Sequence, residues 1–370
     1  MRVPLSYTTL DQTALSAKLA SLDNPPHTLL VPSFEQALAD RVDAKHVVAV
    51  QSGTAAIHLA LRALGVAAGD VVMTSTFTYV ASVNPITYLG AEPVLIDSEP
   101  TTWNMDPVLL EQALASETRQ GRRVAAILVV HSYGMPARMN DIRALAAHYG
   151  VPVLEDAAEA IGSTVAGRWA STLGDVGVLS FNSNKLLTAF GGGAIVTNDG
   201  QVASRCRTWA AQARKETHVF YQHEETGYNY RMSPLTALAG LCGLDALDEN
   251  LRLRQRVFDR YRDLLKPSDG FETQWDNPGA LSNRWLSCFV NPLLNSKLDT
   301  TYQRFAQAGI EVRYLWNPMH RQPLFARQRT HLNGTSDRLF NTGFCLPSSA
   351  HLTPQDQTEI ASVLMASLNS

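Results

Sequence analysis

The sequence predicts an α/β fold, with a large domain on a mostly parallel seven-stranded sheet followed by a smaller C-terminal α/β domain. Three observations carry that expectation. Seven short runs rich in Val and Ile (HVVAV, DVVMTS, EPVLIDSE, VAAILVVH, VPVLED, VGVLSFN and GAIVTN) recur between residues 46 and 198. Amphipathic stretches such as TAAIHLALRAL and MNDIRALAAHYG fall between them at helical spacing, and strands that alternate with helices form a parallel sheet covered on both faces. A chain of 370 residues with 45% hydrophobic content is also long enough for a large core and two domains.

Along the chain, Asp106 and Pro107 mark one helix start, with Asp as the cap and Pro in the first turn. GYNYRMSPLTALAGLCGLDALDENLRLRQRVFDRYRDLL reads as a break followed by long helical sequence, and composition shifts again near residues 267–282. The tail holds FVNPLL, a helix near TTYQRFAQAG, IEVRYLW and a final helix from Thr353. These features divide the chain into a large domain, 1–245, and a small one, 246–370. Repeats and low-complexity segments are absent.

A net charge of −3 without basic runs argues against nucleic acid as the main partner and favours a small molecule. The four cysteines, Cys206, Cys242, Cys288 and Cys345, are scattered without CxxC or metal-ligand spacing. They read as reduced core residues, with no metal site. With neither a signal peptide nor a membrane-spanning run, the expected location is the cytoplasm.

The chemistry is sought at strand ends, where open parallel sheets bind ligands. SFNSNKLLTAFGGG places Lys185 in a turn between two apolar runs, and a lysine near apolar surface has its charged form disfavoured, which frees the amine to attack a carbonyl. QSGTAAIHLA passes from a strand through Ser52, Gly53 and Thr54 into a helix, which makes either a phosphate cradle or a simple helix cap. VLEDAAEA ends a buried strand on Glu155 and Asp156. A carboxylate there needs a donor such as a pyridinium nitrogen, unless it is a cap or a solvated turn. Ser180 and Asn182 can add donors to the same phosphate, and the GGG run permits close approach. A phosphate cradle, an aspartate and a reactive lysine, in that order, describe pyridoxal 5′-phosphate.

The sequence resembles the sugar aminotransferases of the DegT/DnrJ/EryC1/StrS family, a branch of the fold-type I pyridoxal phosphate enzymes. The similarity runs from about Phe34 to the C-terminus, through FEQALADRV, SGTAAIHLAL, TFTYVASVNPI, HSYGMPARM, EDAAEAIG, LGDVGVLSFNSNKLLTAFGGGAIVTND, GYNYRM, SNRW, IEVRYLWNPMHRQPLF and FCLPSS. The resemblance makes Lys185 the Schiff-base lysine and proton shuttle, Asp156 the partner of the pyridine nitrogen and Glu159 that of the ring hydroxyl. Gly53, Thr54 and Ser180 would bind phosphate. Tyr79 would stack on the cofactor, unless it is an ordinary core tyrosine. Asn229 matches a residue that reaches the phosphate of the neighbouring subunit, which implies a homodimer with shared active sites. L-Glutamate is the implied amino donor and a nucleotide-linked keto sugar the acceptor. A few members carry histidine in place of the lysine and dehydrate their substrates, an outcome that Lys185 argues against.

SFNSNKLLTAFGGG, TTWNMDP, LWNPMH and FCLPSS look most like the branch that aminates C4 of UDP-linked 4-keto-6-deoxy-N-acetylhexosamines for bacterial surface glycans. Arg313, Trp316 and His320 are candidates for the substrate side, or structural residues of the small domain. SLDNPPHTLLVPSFEQ departs from the family pattern in a segment that shapes the substrate pocket of relatives. The competing readings are a family member for a dTDP- or GDP-linked keto sugar, or amination at C3, and a catalytically silent relative. A nicotinamide dehydrogenase ranks far lower, because no GxGxxG follows an early strand.

Overall fold

The apolar runs become strands because both of their faces are buried. In the computed structural model, which describes residues 2–6, 8, 12–20, 26–215 and 219–368, Val72, Leu95, Leu128 and Leu154 point into one apolar layer. Their neighbours Val71, Met73, Val94, Ile127, Val129 and Val153 point into another. Alternate residues thus feed separate cores, which is why the runs lack a polar face.

The strands form one sheet in the order His46–Val50, Gly193–Thr197, Val176–Ser180, Val153–Asp156, Val124–Val130, Val71–Ser75, Glu92–Ile96 and Arg329–His331. All seven expected strands are present, and an eighth, Arg329–His331, adds itself in parallel to Glu92–Ile96. Within this sheet only Gly193–Thr197 runs against the others. The carboxyl ends of the rest therefore lie along one edge, and the start of Gly193–Thr197 returns to that same edge.

Helix boundaries follow local chemistry. Ser52 Oγ accepts from the Ala55 amide and opens the helix Gly53–Ala63. Asp106 accepts from the Val108 amide, with Pro107 in the first turn of Pro107–Arg119, as the sequence indicates. Gly150, at φ 66°, closes Met139–Tyr149 in the left-handed conformation. The helix Pro234–Asp245 gives way at Ala246 to Leu247–Leu264.

A second sheet, in the order Ser287–Val290, Gly343–Leu346 and Arg313–Tyr314, lies in the C-terminal part. Two contacts that the sequence did not indicate run across the division expected at residue 245. The strand Arg329–His331 joins the large sheet. The N-terminal residues instead reach the C-terminal part: Val3 bridges Ile310, the Leu5 amide donates to Glu311 and its carbonyl accepts from Ser348. Residues 21–25 of the atypical N-terminal segment lie outside the described residues.

Cysteines far apart in sequence also meet. Cys288 and Cys345 are register partners across two strands, with their sulfurs 3.5 Å apart. All four cysteines are buried. No helix among the described residues is long and apolar enough to cross a membrane.

Leu128 is fully buried at the centre of the large sheet, so Leu128→Ala should cost about 2–5 kcal/mol through lost burial and an unfilled cavity. Urea unfolding of the two proteins measures the difference.

Candidate active site

The shared carboxyl edge of the sheet frames a cavity of about 800 Å³, in the upper part of the range for small-molecule sites. Each strand delivers a different group to it. The end of His46–Val50 brings Gly53 and Thr54, the loop and helix start after Val71–Ser75 bring Tyr79 and Ser82, and the turn after Val124–Val130 brings Tyr133. Val153–Asp156 brings Asp156 and Glu159, and Val176–Ser180 brings Ser180, Asn182 and Lys185.

Lys185 is the best defined of these. Its Nζ lies 3.2 Å from Glu159 Oε1 and 4.2 Å from the centroid of the Trp285 ring. The second oxygen of Glu159 accepts the Tyr133 amide at 2.9 Å. Burial pushes the Glu159 carboxyl up to about 7, against the pull of Lys185 and of that amide. Tyr133 holds φ 57°, the left-handed region that a bulky residue rarely adopts. That turn is what aims its amide at Glu159.

Asp156 is buried and firmly oriented. One carboxylate oxygen accepts from Ser82 Oγ at 2.7 Å and the other from the Ala158 amide at 3.1 Å. Each carboxylate oxygen has a further lone pair for a ligand donor. At the helix start, a Cβ on Gly53 would sit 3.1 Å from Ser180 Cβ, so glycine keeps open the gap between the helix terminus and Ser180. First-turn amides have no carbonyl partner within their own helix and favour an anion.

These residues fit pyridoxal phosphate. Gly53, Thr54, Ser180 and Asn182, which all line the cavity, suit a phosphate; Asp156 suits a protonated ring nitrogen; Lys185 suits an aldehyde. Ser52 lines the same cavity while capping its helix. Glu155, by contrast, turns away from ligand chemistry. It accepts His131 Nε2 at 2.8 Å and the amides of Ser171, Leu173 and Gly174.

The remaining candidates divide. Tyr79 lines the cavity and is 61% exposed, which differs from a core tyrosine. Arg313 and Trp316 line the cavity; Arg313 pairs with Glu311 at 2.6 Å, and Trp316 stacks on Tyr133 with centroids 4.3 Å apart. His320 is not among the lining residues. Its ring is held between Thr76 Oγ1 at 2.8 Å and Asp337 Oδ2 at 3.2 Å. Asn229 is exposed and does not line the cavity of its own chain. Sequence reasoning assigned no role to Ser82, Tyr133 or Trp285. HSYG and SNRW stand out only as family segments, and neither contains a signal for a left-handed tyrosine or for an indole reaching Lys185.

Residues 28–365 match the DegT/DnrJ/EryC1/StrS aminotransferase family. The chain is 45% identical over 340 residues to EpsN of Bacillus subtilis (strain 168), which carries the name of a pyridoxal phosphate-dependent aminotransferase; the match covers 91% of this chain and 87% of that protein. It is 36% identical over 338 residues to a GDP-perosamine synthase of Caulobacter vibrioides, covering 90% and 89% of the two chains. A crystal structure of a DegT DnrJ EryC1 StrS aminotransferase from Brucella abortus superposes with a TM-score of 0.87 at 27% identity, covering 97% of this chain and 95% of that one. The chain belongs to the DegT/DnrJ/EryC1/StrS family and is a pyridoxal phosphate-dependent aminotransferase with the fold-type I architecture.

In the cofactor-free protein, the infrared band of a buried carboxylic acid should disappear with a midpoint near 7, and Glu159→Gln should remove that band. Because the folded carboxyl keeps its proton up to about 7 and the ordinary one loses it near 4.5, raising the pH through that window lowers this group's contribution to stability.

Proposed function

We propose that this aminotransferase moves the amino group of L-glutamate onto a nucleotide-linked keto sugar in bacterial surface glycan synthesis, at C4 of a UDP-linked 4-keto-6-deoxy-N-acetylhexosamine. The observation that carries amino transfer is the Lys185 amine held 3.2 Å from Glu159 inside the cavity that Asp156 also lines.

Pyridoxal phosphate, when bound, supplies the carbonyl that takes the amine and an electron sink for the adjacent carbon. The chain's own residues do the rest. Gly53, Thr54, Ser180 and Asn182 bind the phosphate. Asp156, fixed by Ser82 and the Ala158 amide, keeps the ring nitrogen protonated. Glu159 meets the ring hydroxyl and Tyr79 covers the ring. Lys185 Nζ removes the proton from C2 of glutamate and later returns one to the acceptor carbon, so a single group serves as base and acid. Arg313 and Trp316 belong to the acceptor end, with Arg suited to a carboxylate or diphosphate and Trp to stacking.

Asn229 acts from the neighbouring subunit in this reading, so the working form is a homodimer with shared sites. Its exposure, away from the cavity of its own chain, supports that role. For the acceptor, the motifs around Lys185 favour UDP. The likeness to a GDP-perosamine synthase over 90% of the chain favours a GDP-linked sugar as the second reading.

Purified, cofactor-loaded protein given ¹⁵N-glutamate and a panel of UDP-, GDP- and dTDP-linked keto sugars should place ¹⁵N at C4 of the UDP sugar. Turnover confined to a GDP- or dTDP-sugar would sink the UDP assignment. For the dimer, mixing Asn229→Ala with Lys185→Ala subunits should restore activity, because one site of each heterodimer keeps both groups. No recovery, with heterodimers formed, would put Asn229 to work within its own subunit or not at all.

A further inference from the structure

The nitrogen of Lys185 lies against Glu159 and against Trp285, and of these two only the carboxylate is basic. Besides Glu159, it lies 4.2 Å from the centroid of the Trp285 ring, a side chain that lines the cavity and is only 5% exposed. Every polar handle of Trp285 is tied down. Its indole N–H donates to the carbonyl of Asn184, the residue before the lysine, at 2.8 Å. Its backbone amide donates to Asn283 Oδ1 at 2.9 Å, and its carbonyl accepts from the buried Arg254 at 3.1 Å.

Asn283 extends the tie to the other partner. Its side-chain amide donates to the carbonyls of Glu159 and Ile161, both at 2.8 Å. Gly134 leaves room for it, since a Cβ there would fall 1.8 Å from Asn283 Oδ1. The indole is thus fixed to the backbone on either side of the reaction, beside the lysine and beside its carboxylate.

We propose that Trp285 is a positioning residue for amino transfer, its ring face and Glu159 together forming the berth that holds Lys185 Nζ whenever that nitrogen is not bonded to the cofactor. The inference rests on Lys185 as the proton-transferring amine. Such an amine is released in each half-reaction and must stay within reach of the reacting carbon, although its four-carbon stem is flexible. A ring face attracts the ammonium through its quadrupole. Unlike a second carboxylate, it has no basic lone pair to compete for the proton, so the cation is positioned while its proton stays transferable.

The test uses the cofactor-free protein, so that it does not depend on turnover. Brief treatment with acetic anhydride, followed by peptide mass spectrometry, gives acetylation of Lys185 relative to the exposed Lys45 and Lys266. Trp285→Leu should raise that ratio by about three- to tenfold, and Trp285→Phe, which keeps an aromatic face, should stay near the wild type. Trp285→Met carries the same expectation as Leu and serves if the Leu variant does not fold. In the loaded enzyme, Trp285→Leu should lower kcat with little change in the KM for glutamate, and the isotope effect with α-deuterated glutamate should grow. An unchanged labelling ratio in the Leu or Met variant, or a Phe variant as reactive as Leu, overturns the proposal. Failure of wild-type protein to use glutamate would instead count against the amino-transfer reading and leave the labelling result standing.

Discussion

Strand direction is the constraint on which the site depends. Seven of the eight strands in the large sheet share one sense, so their carboxyl ends open on one edge. Gly53, Tyr79, Tyr133, Asp156 and Lys185 lie at or just beyond the ends of five strands, spread over more than a hundred residues, and that shared polarity brings them to one cavity. The single reversed strand, Gly193–Thr197, contributes as well. It pairs with both Val176–Ser180 and His46–Val50, which sets the lysine loop next to the helix start at Gly53, where glycine keeps a gap open against Ser180.

Much of this was legible because the signals are local. Apolar runs at strand length, the Asp106-Pro107 helix start and a lysine between two buried strands each reflect short-range chemistry, and the structure has them where the sequence puts them. What was not legible depends on contacts between distant segments. Arg329–His331 is three residues long and largely polar, and it becomes a strand only because the edge at Glu92–Ile96 is available. Trp285 lies a hundred residues from the Asn184 carbonyl that fixes it. The ring of His320 is held by Thr76 and Asp337, the first of them 244 residues away, which no local pattern announces. Cys288 and Cys345 look scattered until their strands pair.

The electrostatics of the site arise from desolvation as much as from charge pairing. Glu159 sits beside a cation yet has its carboxyl pushed up to about 7, because burial outweighs the attraction of Lys185. Its anchor is the amide of Tyr133, made available by a left-handed turn. Asp156 has a different surrounding, with a hydroxyl and an amide donating to its two oxygens. Two carboxyl groups three residues apart therefore stand in different electrostatic surroundings within one cavity.

The most direct measurement is the visible absorption spectrum of the cofactor-loaded protein before and after L-glutamate, with 2-oxoglutarate assayed in the same sample. The visible band should bleach as 2-oxoglutarate is released, and Lys185→Ala should retain cofactor through its phosphate and ring contacts but release none. A band indifferent to glutamate, or equal 2-oxoglutarate release by the Lys185→Ala protein, would contradict amino transfer from glutamate through Lys185.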